Sequence, residues 1–151
     1  MKLTTRIFGE VEIDDSKIIV FPNGIIGFPD LKKFTLMYDE EQGSNTIKWL
    51  QSVDEPNFAM PVIDPLVVCP DYKPMVDKNE LEYLKEVDEQ DMLVLVTVTV
   101  PHDLTKMTVN LKGPFIINTK DMKASQTIID NDEYPVKFPI YDIIQKNKEK
   151  A

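Results

Sequence analysis

Met92-Leu-Val-Leu-Val-Thr-Val-Thr-Val-Pro101-His-Asp-Leu-Thr-Lys-Met107-Thr-Val-Asn-Leu-Lys-Gly113-Pro-Phe-Ile-Ile-Asn118 is a β core written out in sequence. Alternate side chains of a strand point to opposite faces. Val94, Val96, Val98 and Val100 therefore share one face, and Leu93, Leu95, Thr97 and Thr99 share the other. The first half of this strand is apolar on both sides and the second half on only one. After a short polar connection, Met107, Val109 and Leu111 alternate with Thr108, Asn110 and Lys112, as in a half-buried partner strand. Gly113-Pro114 interrupts the pattern before Phe115-Ile116-Ile117 resumes it, which marks a bulge or bend.

Outward from this core the chain reads as short strands parted by turns. Strand-like pieces are Thr5–Phe8, Glu10–Ile13, Ile18–Phe21, Phe34–Tyr38 and Ile47–Val53. Gly24-Ile25-Ile26-Gly27-Phe28-Pro29 is an apolar loop; its two glycines do not make the three-glycine dinucleotide fingerprint. Phe58–Ile63 contains Pro61, which cannot donate to a ladder, so an edge or bulged strand is expected there. Leu66–Cys69 reads as a strand end and Gln126–Ile129 as a further strand. Trp49 is expected to pack in the core. One helix signal is clear. Asp77 and Glu80 form an acidic version of the capping box, Val76 and Leu81 a staple, and Leu84 with Val87 extends the apolar stripe. Ile140–Ile144 fits a strand or a helical turn, and 145–151 reads as a basic tail expected to fray. Eleven prolines, frequent turns and one helix point to an all-β barrel or sandwich, mainly antiparallel, in a single domain.

Composition limits the chemistry. With 151 residues and 42% apolar content the chain can bury a substantial core. Cys69 is the only cysteine, so no disulfide framework exists and a reducing compartment is expected. No secretory signal or membrane helix is legible, and a soluble, cytoplasmic protein is expected. His102 is the only histidine: a histidine-based triad would have to be built on it, the Gly-x-Ser-x-Gly elbow is missing, and one Cys with one His fall short of a structural zinc set. No catalytic residue, cofactor site or metal site emerges. The net charge of −9 is concentrated: residues 54–91 hold 11 acids and 3 bases, a balance of −8. Such acidity opposes binding to a phosphate backbone and suits a basic protein partner. Glu82, Glu86, Asp88, Glu89 and Asp91 crowd the exit of the expected helix, where acids oppose the macrodipole. They form one candidate patch. The Ile25, Ile26 and Phe28 loop forms a second, apolar candidate.

Several motifs then fall into a recognisable order. Gly24-Ile25-Ile26-Gly27-Phe28 with Phe34, Leu50-Gln51-Ser52-Val53, Asn110 to Pro114 continuing through Asn118, and Gln126 together resemble the flagellar assembly factor FliW family. The resemblance runs from about Gly9 to Pro139; members commonly carry alanine where this chain has Gly113. It implies a small, mainly antiparallel β-barrel-like domain, set at 1–140 with one or two short helices. The chain beyond Pro139 matches no family motif, and 141–151 is expected, from its own residues, to be a flexible basic tail. It also implies a bacterial, non-enzymatic protein that binds newly made flagellin as a chaperone. The same protein would bind and antagonise CsrA, a dimeric RNA-binding translational repressor, and so relieve silencing of flagellin mRNA. Neither direct nucleic-acid binding nor membrane association is implied. The alternative is a generic β-barrel binding module for another protein.

Overall fold

The computed structural model describes residues 1–37, 47–74, 89–129 and 131–150. In chain order its elements are β1 (Lys2–Thr5), β2 (Gly9–Glu12), β3 (Ile18–Val20), β4 (Lys33–Met37), β5 (Lys48–Ser52), β6 (Ala59–Ile63) and α1 (Pro65–Val68). There follow β7 (Met92–Thr99), β8 (Thr108–Val109), β9 (Phe115–Asn118), β10 (Lys123–Gln126), β11 (Phe138–Pro139) and α2 (Tyr141–Lys150).

Seven strands close into a barrel in the order β7, β6, β5, β4, β3, β10, β9 and back to β7. The β7–β9 ladder from Met92↔Asn118 to Leu95↔Phe115 completes the ring. All its pairings are antiparallel except β3 with β10, a parallel seam of one pair, Lys123↔Val20, supported by the Val20 amide donating to the Met122 carbonyl at 2.9 Å. Ile19, Phe21, Phe34, Leu50, Val62, Leu95, Phe115 and Ile117 fill the interior. Phe21 lies edge-on to both Phe34 and Phe115 at 5.3 and 5.7 Å. Fully burying each such side chain is worth about 1.5–3 kcal/mol, so this lining dominates stability.

A second core forms on the outside of the barrel wall. Val96 and Val98 of β7 pack there with Ile63, Val68, Val109, Leu111, Ile129 and Ile140. The continuous aliphatic run of β7 thus reflects burial on both faces, as its alternation implied. Tyr72 and Tyr134 pin this layer: Tyr72 donates to the Leu111 carbonyl at 2.6 Å, and the Lys73 amide donates to the Tyr134 hydroxyl at 2.8 Å. On another side the β1–β2 hairpin lays Phe8 edge-on against Trp49 at 6.3 Å. Trp49 is therefore a half-buried residue of the outer surface, not part of the barrel interior.

Several local expectations are corrected. Pro61 does not sit in an edge strand, since β6 pairs with β5 and β7. The Ser52 amide donates to the Phe58 carbonyl, so Trp49↔Pro61 is a non-hydrogen-bonded pair, and the proline nitrogen faces β7. There the β6–β7 ladder contains only Val62↔Thr97 and Ile63↔Val96, and no donor is missed. Leu66–Cys69 is not a strand end: Pro65–Val68 is a helical turn whose Leu66 amide is capped by Asp64 at 2.9 Å. The late strand is Lys123–Gln126, earlier than read, while Thr127 and Ile129 donate to the Pro114 and Lys112 carbonyls. The stretch expected to fray, within 141–151, carries α2 up to Lys150. Ile140, Ile143 and Ile144 dock on the outer core, a helical spacing that could have been read directly. The expected helix over 77–88 lies outside the described residues.

Burial, and secondarily the neighbouring Tyr134 and Cys69, push the Tyr72 phenol well above its usual 10.0. The folded state holds the proton more tightly than the unfolded chain, so this stabilisation is complete below pH ~10 and declines as pH rises beyond it. Tyr72→Phe is expected to cost about 1 kcal/mol at neutral pH, for the lost hydrogen bond. It should also flatten the loss of stability between about pH 10 and 11. Urea unfolding across that range tests this; an unchanged alkaline slope would show that Tyr72 is not the responsible group.

Candidate protein-interaction surface

The apolar Gly24–Pro29 stretch turns sharply at one end of the barrel. Ile25 and Phe28 exchange backbone hydrogen bonds at 3.3 and 2.9 Å, which leaves Ile26-Gly27 as the tip. Gly27 has φ 90°, a conformation that glycine adopts without strain. Gly24 has φ 69°, and a Cβ there would collide with the Pro29 backbone, so only glycine lets the two ends of the turn approach.

The turn separates its apolar residues. Ile25 is 4% exposed and belongs to the barrel interior, which removes it from the partner-facing candidates. Ile26 and Phe28 stand out at 54% and 46%. Phe28 rests on Phe58 with ring centroids 4.7 Å apart. Ile128, 54% exposed, lies beside Gly113.

Gln126 ties these parts together. Its Oε1 accepts from the Ile26 amide at 2.8 Å, and its Nε2 donates to the Gly113 carbonyl at 3.1 Å. Asn110 Oδ1 accepts from the Lys112 and Gly113 amides at 2.9 and 3.1 Å, shaping the excursion that ends at Pro114. A Cβ on Gly113 would meet the Asn110 and Gln126 side-chain nitrogens at 3.3 and 3.4 Å. Alanine there needs shifts of only a few tenths of an ångström, so Gly113 does not imply a different bend.

The remaining motif residues build turns. Gln51, fully buried, donates through Nε2 to the carbonyls of Ser52, Pro56 and Phe58 at 2.9–3.1 Å. Its Oε1 is buried without a hydrogen-bond partner. Ser52 Oγ accepts from the Glu55 amide at 2.9 Å, and Asn118 Oδ1 caps the β9–β10 turn through the Lys120 and Asp121 amides. Leu50 is core.

The acidic candidates fare differently. Glu82, Glu86 and Asp88 lie outside the described residues, as does the Glu89 side chain. Asp91 closes a 3-10 turn, and its carbonyl accepts from the Thr119 amide and hydroxyl at 2.8 and 2.9 Å. Other acids of segment 54–91 have structural duties: Asp54 accepts from the Lys32 and Lys33 amides, and Asp64 caps α1. His102 is exposed. Burial raises the Cys69 thiol pKa, with Asp71 adding to the shift, which keeps the thiol protonated and inert. No group of three metal-ligating side chains occurs among the described residues.

A family profile described as FliW protein matches residues 2–140. The chain belongs to the FliW family. Flagellar assembly factor FliW of Lachnospira eligens is 47% identical over 150 residues, covering 98% of this chain and 99% of that one. Its counterpart in Lachnoclostridium phytofermentans is 43% identical over 151 residues, covering 99% and 97%. A solved structure titled as the crystal structure of the flagellar assembly factor FliW superposes with a TM-score of 0.84 at 33% identity, covering 93% of this chain and 96% of that one. FliW is a family of assembly factors rather than of enzymes. No helix among the described residues is long and apolar enough to cross a membrane.

If Gln126 holds the FliW turn in place, Gln126→Leu should lower stability by about 1–2 kcal/mol, because two bonds are lost and the Ile26 amide loses its acceptor. The Ile26 amide should then exchange with solvent faster. Unaltered exchange at Ile26 would show that the turn is held by its own backbone bonds alone.

Proposed function

We propose that this chain acts in flagellar assembly by binding flagellin as a chaperone and by binding and antagonising CsrA, in the cytoplasm and without catalysis. Membership of the FliW family across residues 2–140 carries the reading. The exposed Ile26–Phe28 turn supports an apolar contact with flagellin. An isolated exposed apolar residue is ordinary, but a contiguous apolar surface is a usual sign of a docking site. Strand addition is the weaker route, because closing the barrel removes its edges; the free edges among the described residues are those of β1, β2 and the two-residue β11. The −8 balance of residues 54–91 supports attraction to a basic RNA-binding protein, speeding encounter at low salt and repelling RNA from the complex.

Isothermal titration of the protein with its host's flagellin and CsrA, separately and in competition, tests this. Binding of both, with flagellin displacing CsrA, is the expected result; binding of neither would leave a β-barrel module for some other partner. Ile26→Asp should weaken flagellin binding roughly tenfold or more, since a buried apolar anchor commonly contributes over 1 kcal/mol. Normal flagellin binding by the folded variant excludes the turn. Reversing Glu86, Asp88 and Glu89 to lysine should slow association with CsrA by about tenfold at low salt and flatten its salt dependence. An unchanged association rate would remove that patch from the interface.

A further inference from the structure

Beside the exposed turn lies a cleft of about 340 Å³ between residues 27–31 and the β5–β6 turn. Its size is at the low end of the roughly 300–1,000 Å³ typical of ligand sites, so it suits one long side chain and its neighbour rather than a cofactor. Phe28, Pro29, Leu31 and Phe58 make most of its walls apolar, and Phe58 also packs on the barrel core. Asp30 and Glu55 supply two exposed carboxylates, Glu55 with one oxygen on the Asn57 amide at 3.3 Å and the other open, while no lysine or arginine lines the cleft. Both walls are braced from behind. Gln51 ties the Pro56 and Phe58 carbonyls, Ser52 holds the Glu55 amide, and Gln126 holds the Ile26 amide.

We propose that this cleft receives an arginine side chain carried by an apolar segment of the partner that docks on Ile26 and Phe28. The proposal rests on flagellin being that partner. An exposed aromatic face beside carboxylates is complementary to a guanidinium, which is planar, stacks on rings and pairs with carboxylates through two parallel bonds. A lysine would gain the charge but not the stacking. A neutral aromatic group would strip water from Asp30 and Glu55 without replacing it, and an acidic group would be repelled. The chemistry also accounts for the buried Gln51: it shapes a wall of the cleft instead of touching a partner.

The test uses the full chain and two capped dipeptides, acetyl-Leu-Arg-amide and acetyl-Leu-citrulline-amide, followed by NMR at the Phe28 and Phe58 rings. The arginine peptide should bind roughly five- to tenfold more tightly than its uncharged isostere, the combined effect of a cation–π contact and exposed charge pairing. The double variant Asp30→Asn, Glu55→Gln should erase that difference. Equal affinity for the two peptides, or shifts centred away from the two rings, overturns the proposal. In parallel, flagellin binding by the double variant should weaken about tenfold, as when a charge pair at an interface loses one partner. If flagellin binds wild type and double variant alike, the arginine site is overturned while the assembly role stands. If flagellin does not bind the wild type, the assembly role fails and the dipeptide comparison alone decides the cleft.

Discussion

The fold depends on β7 being buried on both faces. Leu95 points into the barrel and Val96 and Val98 into the outer core, so one strand is the wall shared by both hydrophobic layers. Its ladder with β9 closes the ring, and its ladder with β8 carries the outer layer. Between those ladders the register slips. Val98 pairs with Val109, but Leu95 pairs with Phe115, so five residues, 110–114, oppose two. An uninterrupted strand would place Val109 and Phe115 on the same face. The odd slip puts Val109 outside and Phe115 inside. Gly113-Pro114 and the Asn110 cap are thus the device by which one strand serves two cores.

Closure has a functional consequence. A barrel with no open edge offers little for strand addition, so the accessible apolar groups are at the turns. These turns are held by buried or half-buried amide side chains: Gln51 bonds the local Ser52, Pro56 and Phe58 carbonyls, while Gln126 accepts from Ile26, one hundred residues away. Gln51 and Gln126 are among the residues that give the chain its family resemblance. They pre-organise the surface that a partner meets, which lowers the ordering cost of binding.

Acidity is divided in the same way between structure and surface. Asp54 and Asp64 are used by local amides, Asp30 borders the cleft, and Glu55 does both, lining the cleft while its Oε1 accepts from the Asn57 amide. A count of charges cannot separate these duties, because a carboxylate that caps a backbone amide and one that faces a partner are the same residue in the chain.

The alternation of β7, the bulge at Gly113-Pro114 and the β-rich class were all legible in the chain, because each follows from local periodicity and backbone chemistry. The helical turn at Pro65–Val68 was missed because four residues are too short for a period to show, and the end helix at Tyr141–Lys150 was legible only as one of two readings, a strand or a helical turn over Ile140–Ile144. Others depended on the folded chain. Whether Ile25 or Ile26 faces solvent turns on the hairpin geometry of one loop, and Pro61 is tolerated inside a barrel because its nitrogen points to the side where the ladder has parted. The contact of Gln126 with Ile26 exists only once β3 and β10 meet across the barrel seam, and no spacing along the chain encodes a pairing made by closure.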